Sequence, residues 1–242
     1  MWRERFTGST ARTVAVAALM GGCAGAAPLT DWGPDHARGG VTVGLVEVKR
    51  EATAAGTDIT FRLQGRGVPP GGRMALWHRS RGASPVRVPG VYVTDDGRLL
   101  SSQTGEEAEL HATGLARGEA YDLGVSDQDG LLRAFVKVIP FPLEFRLGSR
   151  RVWAELASVR GEAWIMGGEG FKSLEEVNAV LQRGEEVHLD VIPASPNGSF
   201  TRFLFPATWF KTEQGSGVLK IAADGGTQEL RIAWGPRALK PE

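Results

Sequence analysis

Short runs in which apolar and polar residues alternate make up most of the chain after about residue 41. In the run 185–192, for example, Val187, Leu189 and Val191 share one face. A period of two is typical of a β-strand. About seven such runs occur in each half, and the 33 glycines and 13 prolines provide the turns between them. This pattern predicts an all-β fold of the β-sandwich type.

A Gly-rich segment that occurs twice predicts an internal duplication. The segment 65–71 (GRGVPPG) contains Gly65 and Gly67, and the segment 168–173 (GEGFKS) repeats them 103 positions later as Gly168 and Gly170. Later Asp-Gly and Asn-Gly turns also recur, 101 positions apart. We therefore expect two tandem sandwiches at 41–142 and 143–242. The glycines have a structural role in inter-strand turns, because a nucleotide-binding Gly-rich loop would open a helix within a βαβ unit.

Two stretches resemble known repeat families. The segment 115–125 (LARGEAYDLGV) is similar to a stretch of fibronectin type III domains, which implies an immunoglobulin-like sandwich with Tyr121 packed at a structural corner. The segment beginning at Gly168 resembles tandem immunoglobulin-like repeats of bacterial envelope proteins. That resemblance implies secretion and a binding or spacer role without a defined chemistry.

The first 40 residues predict export and anchoring. A basic start followed by a ten-residue apolar run is typical of a signal peptide, at 1–22, and is too short to cross a bilayer. The segment 19–23 (LMGGC) resembles a bacterial lipobox, which implies lipidation of Cys23, a tether over 23–40 and attachment to the outer membrane. Cleavage between Ala26 and Ala27 is the alternative, and it would release a soluble periplasmic or extracellular protein.

The net charge of the chain and its reactive side chains argue against several classes of function. The 28 basic and 28 acidic residues cancel, so the chain lacks the positive surface expected of a nucleic-acid-binding protein. Its four histidines are scattered and its only cysteine is Cys23, so we expect no metal site and no cofactor. No nucleophile motif is present either, and we do not expect an enzyme.

Trp209 and Phe210 lie in a predicted loop and are the candidate contacts for a ligand or partner. The alternative is that one or both fold back onto the end of the sandwich. The expected function is non-catalytic: binding or a structural role at the cell envelope, with an envelope protein or a glycan as partner. The alternatives are an accessory subunit of a secretion or surface-assembly complex, and an enzyme acting on envelope glycans.

Overall fold

The computed structural model describes residues 31–80, 83–223 and 226–241, and it is built almost entirely of antiparallel β-strands. The predicted signal peptide, Cys23 and the alternative cleavage site lie outside these residues. The first sandwich packs the three-stranded sheet β1-β2-β6 against the five-stranded sheet β5-β4-β3-β7-β8. Its strands are β1 (Thr42–Thr53), β2 (Gly56–Arg66), β3 (Arg73–Ser80), β4 (Val86–Val93), β5 (Leu99–Ser101), β6 (Glu109–Ala112), β7 (Tyr121–Ser126) and β8 (Arg133–Val138).

The second sandwich packs the sheet β14-β11-β10-β9 against the sheet β13-β12-β15-β16. Its strands are β9 (Leu143–Leu147), β10 (Arg150–Leu156), β11 (Trp164–Glu169), β12 (Glu176–Arg183), β13 (Glu186–Pro193), β14 (Phe200–Leu204), β15 (Gly215–Ala223) and β16 (Gly226–Trp234). A four-residue helix, α1 (Pro206–Trp209), follows β14 where the sequence predicted a loop. Short 3-10 turns at Pro34–His36 and Gly235–Leu239 flank the two sandwiches.

The two sandwiches have the same connectivity. Strand β2 pairs with β6 and β3 with β7 in the first, just as β11 pairs with β14 and β12 with β15 in the second. These pairs correspond to B with E and C with F of an immunoglobulin-like sandwich. The remaining strands also match, except that β5 belongs only to the first sandwich and β9 only to the second. The predicted fold class, two tandem immunoglobulin-like sandwiches, is therefore confirmed.

Of the repeated glycines, Gly67 and Gly170 occupy equivalent turns, whereas Gly65 and Gly168 lie within β2 and β11 and not in the predicted turns, because both are paired in the strand ladders. Gly67 and Gly170 have φ angles of 75° and 80°, a region that disfavours side chains. A Cβ on Gly67 would lie 2.9 Å from the carbonyl oxygen of Gly40, and one on Gly170 would lie 2.5 Å from that of Ser149. Both carbonyls come just before the first matching strand, β1 or β10. The turns therefore let the chain pass close to the start of each sandwich.

The third position of the repeated turn has diverged. Gly71 has a φ of 74°, and the residue 103 positions later is Leu174, with a φ of 59°. Leu174 is 67% exposed, so packing does not explain why a branched residue adopts this conformation. The second turn thus carries backbone strain that the first turn avoids.

The two sandwiches contact each other through the loop between β6 and β7. Ala116 in this loop is fully buried and belongs to the hydrophobic core of the second sandwich. The backbone N–H of Gly118 donates to the carbonyl of Phe141 at 2.8 Å, and its carbonyl accepts from the N–H of Leu156 at 2.9 Å. Gly118 lies so close to the Trp164 ring that a Cβ there would be 2.6 Å from a ring carbon. The contact is therefore packed and hydrogen-bonded.

Candidate interaction surface

Strand β13 forms one edge of its sheet and turns its apolar residues toward solvent. Val187, Leu189 and Val191 are 58%, 60% and 46% exposed, whereas Ile192, on the opposite face, is 5% exposed. Since successive side chains of a strand point to opposite faces, the alternation of the sequence is real but its apolar face is the outer one. A charge-free stripe of branched side chains on an edge strand is unusual, because edge strands commonly carry charged residues that block unwanted pairing.

On the inner face of β13, the side chains of His188 and Asp190 are polar, and each contacts a side chain from elsewhere in the second sandwich. The imidazole of His188 stacks on the indole of Trp209, with ring centroids 3.8 Å apart and an interplanar angle of 12°. The carboxylate of Asp190 accepts hydrogen bonds from Nε and Nη2 of Arg202 at 2.6 and 3.1 Å. These two contacts connect β13 with β14 and α1, and so close the side of the sandwich between the two sheets.

Two exposed phenylalanines extend the apolar surface onto the neighbouring edge. Phe203, on the edge strand β14, and Phe205, just after it, are 54% and 45% exposed. Their rings lie nearly parallel, with centroids 6.2 Å apart. Both line an open groove of about 530 Å³, together with Trp209 and Leu189. We refer to Val187, Leu189, Val191, Phe203 and Phe205 as the edge surface.

The edge surface stands out within the part of the chain that the structure describes. Eleven large hydrophobic residues are exposed there, and five of them form this surface on two adjacent edge strands. The other six are distributed over both sandwiches. Clustered apolar exposure of this kind marks interaction sites, whereas isolated exposed residues need no explanation.

The structure separates the two aromatic residues that the sequence paired as candidate contacts. Trp209, the last residue of α1, is half-buried and lies in the groove against His188. Phe210 is 7% exposed and stacks on Trp234 in the core, with centroids 5.5 Å apart. Consecutive residues of a helical turn point about 100° apart, which is why one ring lines the groove and the next enters the core. Phe210 is therefore not available to a partner.

Tyr121 is a packing residue at the start of β7. Its ring is 7% exposed and lies against Phe61 and His78, with centroids 5.6 and 4.6 Å away. Burial raises the pKa of the Tyr121 phenol to about 12. Burial also lowers the pKa of His78, while the nearby charges of Asp122 and Glu119 oppose this shift. Both rings therefore favour their neutral forms in the folded protein.

Other kinds of site have less support in the described residues. Within 31–80, 83–223 and 226–241, no group of three or more His, Cys, Asp or Glu residues is arranged to hold a metal ion. Over the same residues, no helix has the length and apolar character needed to cross a membrane. Two further open grooves, of about 520 and 550 Å³, are lined by residues of the first sandwich alone.

Comparisons with known proteins add little to this picture. No protein-family model matches the chain, and no curated protein matches it. One similar solved structure is described as "Crystal structure of tetra-tandem repeat in extending region of large adhesion protein". The match has a TM-score of 0.26 and 12% sequence identity, and it covers 80% of this chain and 47% of that chain. The chain thus spans less than half of that structure, and a similarity this low carries no argument.

Proposed function

We propose that this protein is a non-catalytic binding protein of the cell envelope, and that its second sandwich contacts the partner through the edge surface. One observation carries the proposal: five large apolar side chains are exposed on two edge strands, and Leu189 lines one groove with Phe203 and Phe205. Leaving such a cluster in water costs free energy that a bound partner recovers, since burial stabilises by roughly 25 cal/mol per Å² of apolar surface. A protein partner fits this surface better than a glycan does, because the edge surface contains aliphatic as well as aromatic side chains.

Site-specific photo-crosslinking in cells tests this proposal. A photoreactive residue in place of Leu189 should trap a partner, whereas the same residue in place of Gln228 should not. Gln228 is an exposed residue on β16, the opposite edge of the same sheet, and so is a matched control. Equal crosslinking from both positions, or none from Leu189, would contradict the proposed contact.

The proposed location rests on the N-terminal sequence. A lipid on Cys23 would anchor the protein to the outer membrane, and the segment 23–40 would act as a tether. Mass spectrometry of the membrane fraction should find an acylated Cys23, and a Cys23→Ala variant should leave that fraction. An unmodified mature N-terminus at Ala27 would instead establish the soluble alternative.

The second candidate function is an accessory subunit of a secretion or surface-assembly complex. The free edge of β13 favours it, because partners in such assemblies commonly add a strand to an exposed sheet edge. The same crosslinking experiment separates the two functions by the identity of the trapped protein. A component of an export or assembly machine would support the accessory role.

A further inference from the structure

Strand β13 presents a regular set of backbone hydrogen-bonding groups to solvent. It is joined to β12 by the two-residue turn Gly184-Glu185, and the register pairs Arg183 with Glu186. The closing pair of such a hairpin is hydrogen-bonded, so Glu186, His188, Asp190 and Ile192 bond toward β12. The N–H of Ala194, which donates to the carbonyl of Glu175 at 2.9 Å, continues this series.

The odd-numbered residues of β13 therefore direct their backbone N–H and C=O groups away from β12. These residues are Val187, Leu189 and Val191, the same residues whose side chains form the exposed stripe. Pro193 is next in the series, and it lacks an N–H, which suits the end of an edge strand. Among the described residues, no strand lies beyond β13 in its sheet. The edge is thus free along the length of the apolar stripe.

We propose that two copies of the chain associate through β13, antiparallel, about a twofold axis at Leu189. Their two four-stranded sheets then form one continuous sheet of eight strands. The inference rests on the proposed function, because it takes the same edge surface as the contact, and it names the partner as a second copy of this chain.

The sequence of β13 reads almost the same in both directions about Leu189, which gives this register its complementarity. Val187 of each copy lies opposite Val191 of the other, and Leu189 lies opposite Leu189. These three pairs are hydrogen-bonded pairs, each exchanging two backbone bonds. On the other face, His188 of each copy lies opposite Asp190 of the other, so no two carboxylates face each other across the strand pair.

The neighbouring registers are worse for electrostatic reasons. A shift of two residues in one direction places Asp190 opposite Asp190 and aligns Val187 with Pro193, which has no N–H. A shift in the other direction places Asp190 opposite Glu186 and Val191 opposite Glu185. Like charges directly opposite each other destabilise a strand pair. The Leu189-centred register keeps the acidic residues of the two copies apart.

Disulfide trapping tests the register. The full-length chain carries Cys23→Ala, so that an introduced cysteine is the only thiol. Leu189→Cys should then form a covalent dimer on mild oxidation, because Cα atoms of a hydrogen-bonded pair are about 5.5 Å apart, within disulfide range. Val187→Cys alone should not form this dimer. Position 187 of one copy lies opposite position 191 of the other, so the two introduced cysteines are offset by four residues, about 14 Å along the strands. Val187→Cys combined with Val191→Cys should restore the crosslink.

Two results would overturn this register. One is a Val187→Cys protein that crosslinks as efficiently as Leu189→Cys, and the other is a set of three variants that all stay monomeric. Circular dichroism of each variant checks that it is folded, which the exposure of these positions leads us to expect.

The oligomeric state of the protein without introduced cysteines provides a second measurement. Sedimentation should give a species of twice the 25.9 kDa of one chain. Leu189→Lys should weaken dimerisation by at least about tenfold, a change of about 1.4 kcal/mol. Leu131→Lys, at a 70% exposed leucine of the first sandwich, should leave it unchanged. A wild-type chain that stays monomeric at about 100 µM would refute self-association at any useful affinity.

These outcomes separate the inference from the proposed function. If the purified chain is monomeric but a photoreactive residue at position 189 captures a different protein in cells, the edge surface binds a partner and β13 self-pairing is wrong. If position 189 captures only this chain, both stand. If it captures nothing and the chain is monomeric, both fail.

Discussion

Replacing Leu174 with glycine should stabilise the second sandwich. Leu174 has a φ of 59°, in the left-handed region, where the duplicated turn of the first sandwich has Gly71 with a φ of 74°. The leucine side chain is 67% exposed and its removal leaves no cavity in the core. The substitution therefore changes mainly the backbone energy of one turn.

Three contributions set the size of the effect. The left-handed conformation costs a non-glycine residue about 1–2 kcal/mol, which Leu174→Gly recovers. Glycine also destabilises the fold by about 0.4–1 kcal/mol, because it increases the conformational entropy of the unfolded chain. The third contribution is the apolar burial lost with the leucine side chain. It is close to zero, because Leu174 is 67% exposed in the folded protein and an unfolded chain already buries roughly 10–40% of its surface. The net stabilisation is about 0.5–1 kcal/mol.

Differential scanning calorimetry of the full chain measures this change. For a domain of this size, about 0.5–1 kcal/mol corresponds to a rise of about 2–8 °C in the Tm of the second sandwich. The control is Ser173→Gly at the preceding position, which lacks a positive φ and should lower that Tm through unfolded-state entropy alone. The reverse change, Gly71→Leu, should destabilise the first sandwich, although a Cβ there meets no atom within 4 Å. A lower Tm for Leu174→Gly would refute the strain argument.

Three further predictions concern buried groups. Because burial lowers the pKa of His78, unfolding takes up a proton below pH 6.5, the ordinary histidine value. The contribution of His78 to stability is therefore complete above pH 6.5 and falls as the pH drops toward the lowered pKa of the folded state. His78→Gln should flatten this dependence in urea titrations between about pH 7 and 5. The Tyr121 phenol should ionise with a midpoint of about pH 12, measured as the difference in phenolate absorbance between the wild type and Tyr121→Phe. Its contribution to stability should be complete below pH 10 and should be lost as the pH rises from 10 toward 12. Gly118→Ala should displace the Trp164 ring and shift the tryptophan emission to longer wavelength, whereas Gly114→Ala, which has a similar positive φ but open space, should not.

The sequence predicts the strands well because their alternation and turn residues are local signals. Gly67 and Gly170 recur at equivalent turns, since each meets a backbone carbonyl near the start of its own sandwich. Alternation does not tell which face of a strand is buried. In β13 the apolar face turns outward because His188 and Asp190 find partners, Trp209 and Arg202, that are distant in sequence.

The candidate site illustrates the same limit. The sequence singles out Trp209 and Phe210 as adjacent aromatics in a loop, but the four residues of α1 decide which of them faces the groove. Phe203 and Phe205 follow the alternation of β14, and nothing in that pattern shows that β14 ends its sheet. Edge position depends on which strands pair, and pairing is set by the whole chain.

The buried loop contact has a mechanical consequence. Ala116, from the first sandwich, completes the core of the second, and the backbone of Gly118 bonds to Phe141 and Leu156. The covalent link between the sandwiches is therefore only one of the connections that bear load. Tension applied between the first and the second sandwich also passes through this buried, hydrogen-bonded contact. The two sandwiches therefore resist bending at a point where domains connected only by a linker would hinge.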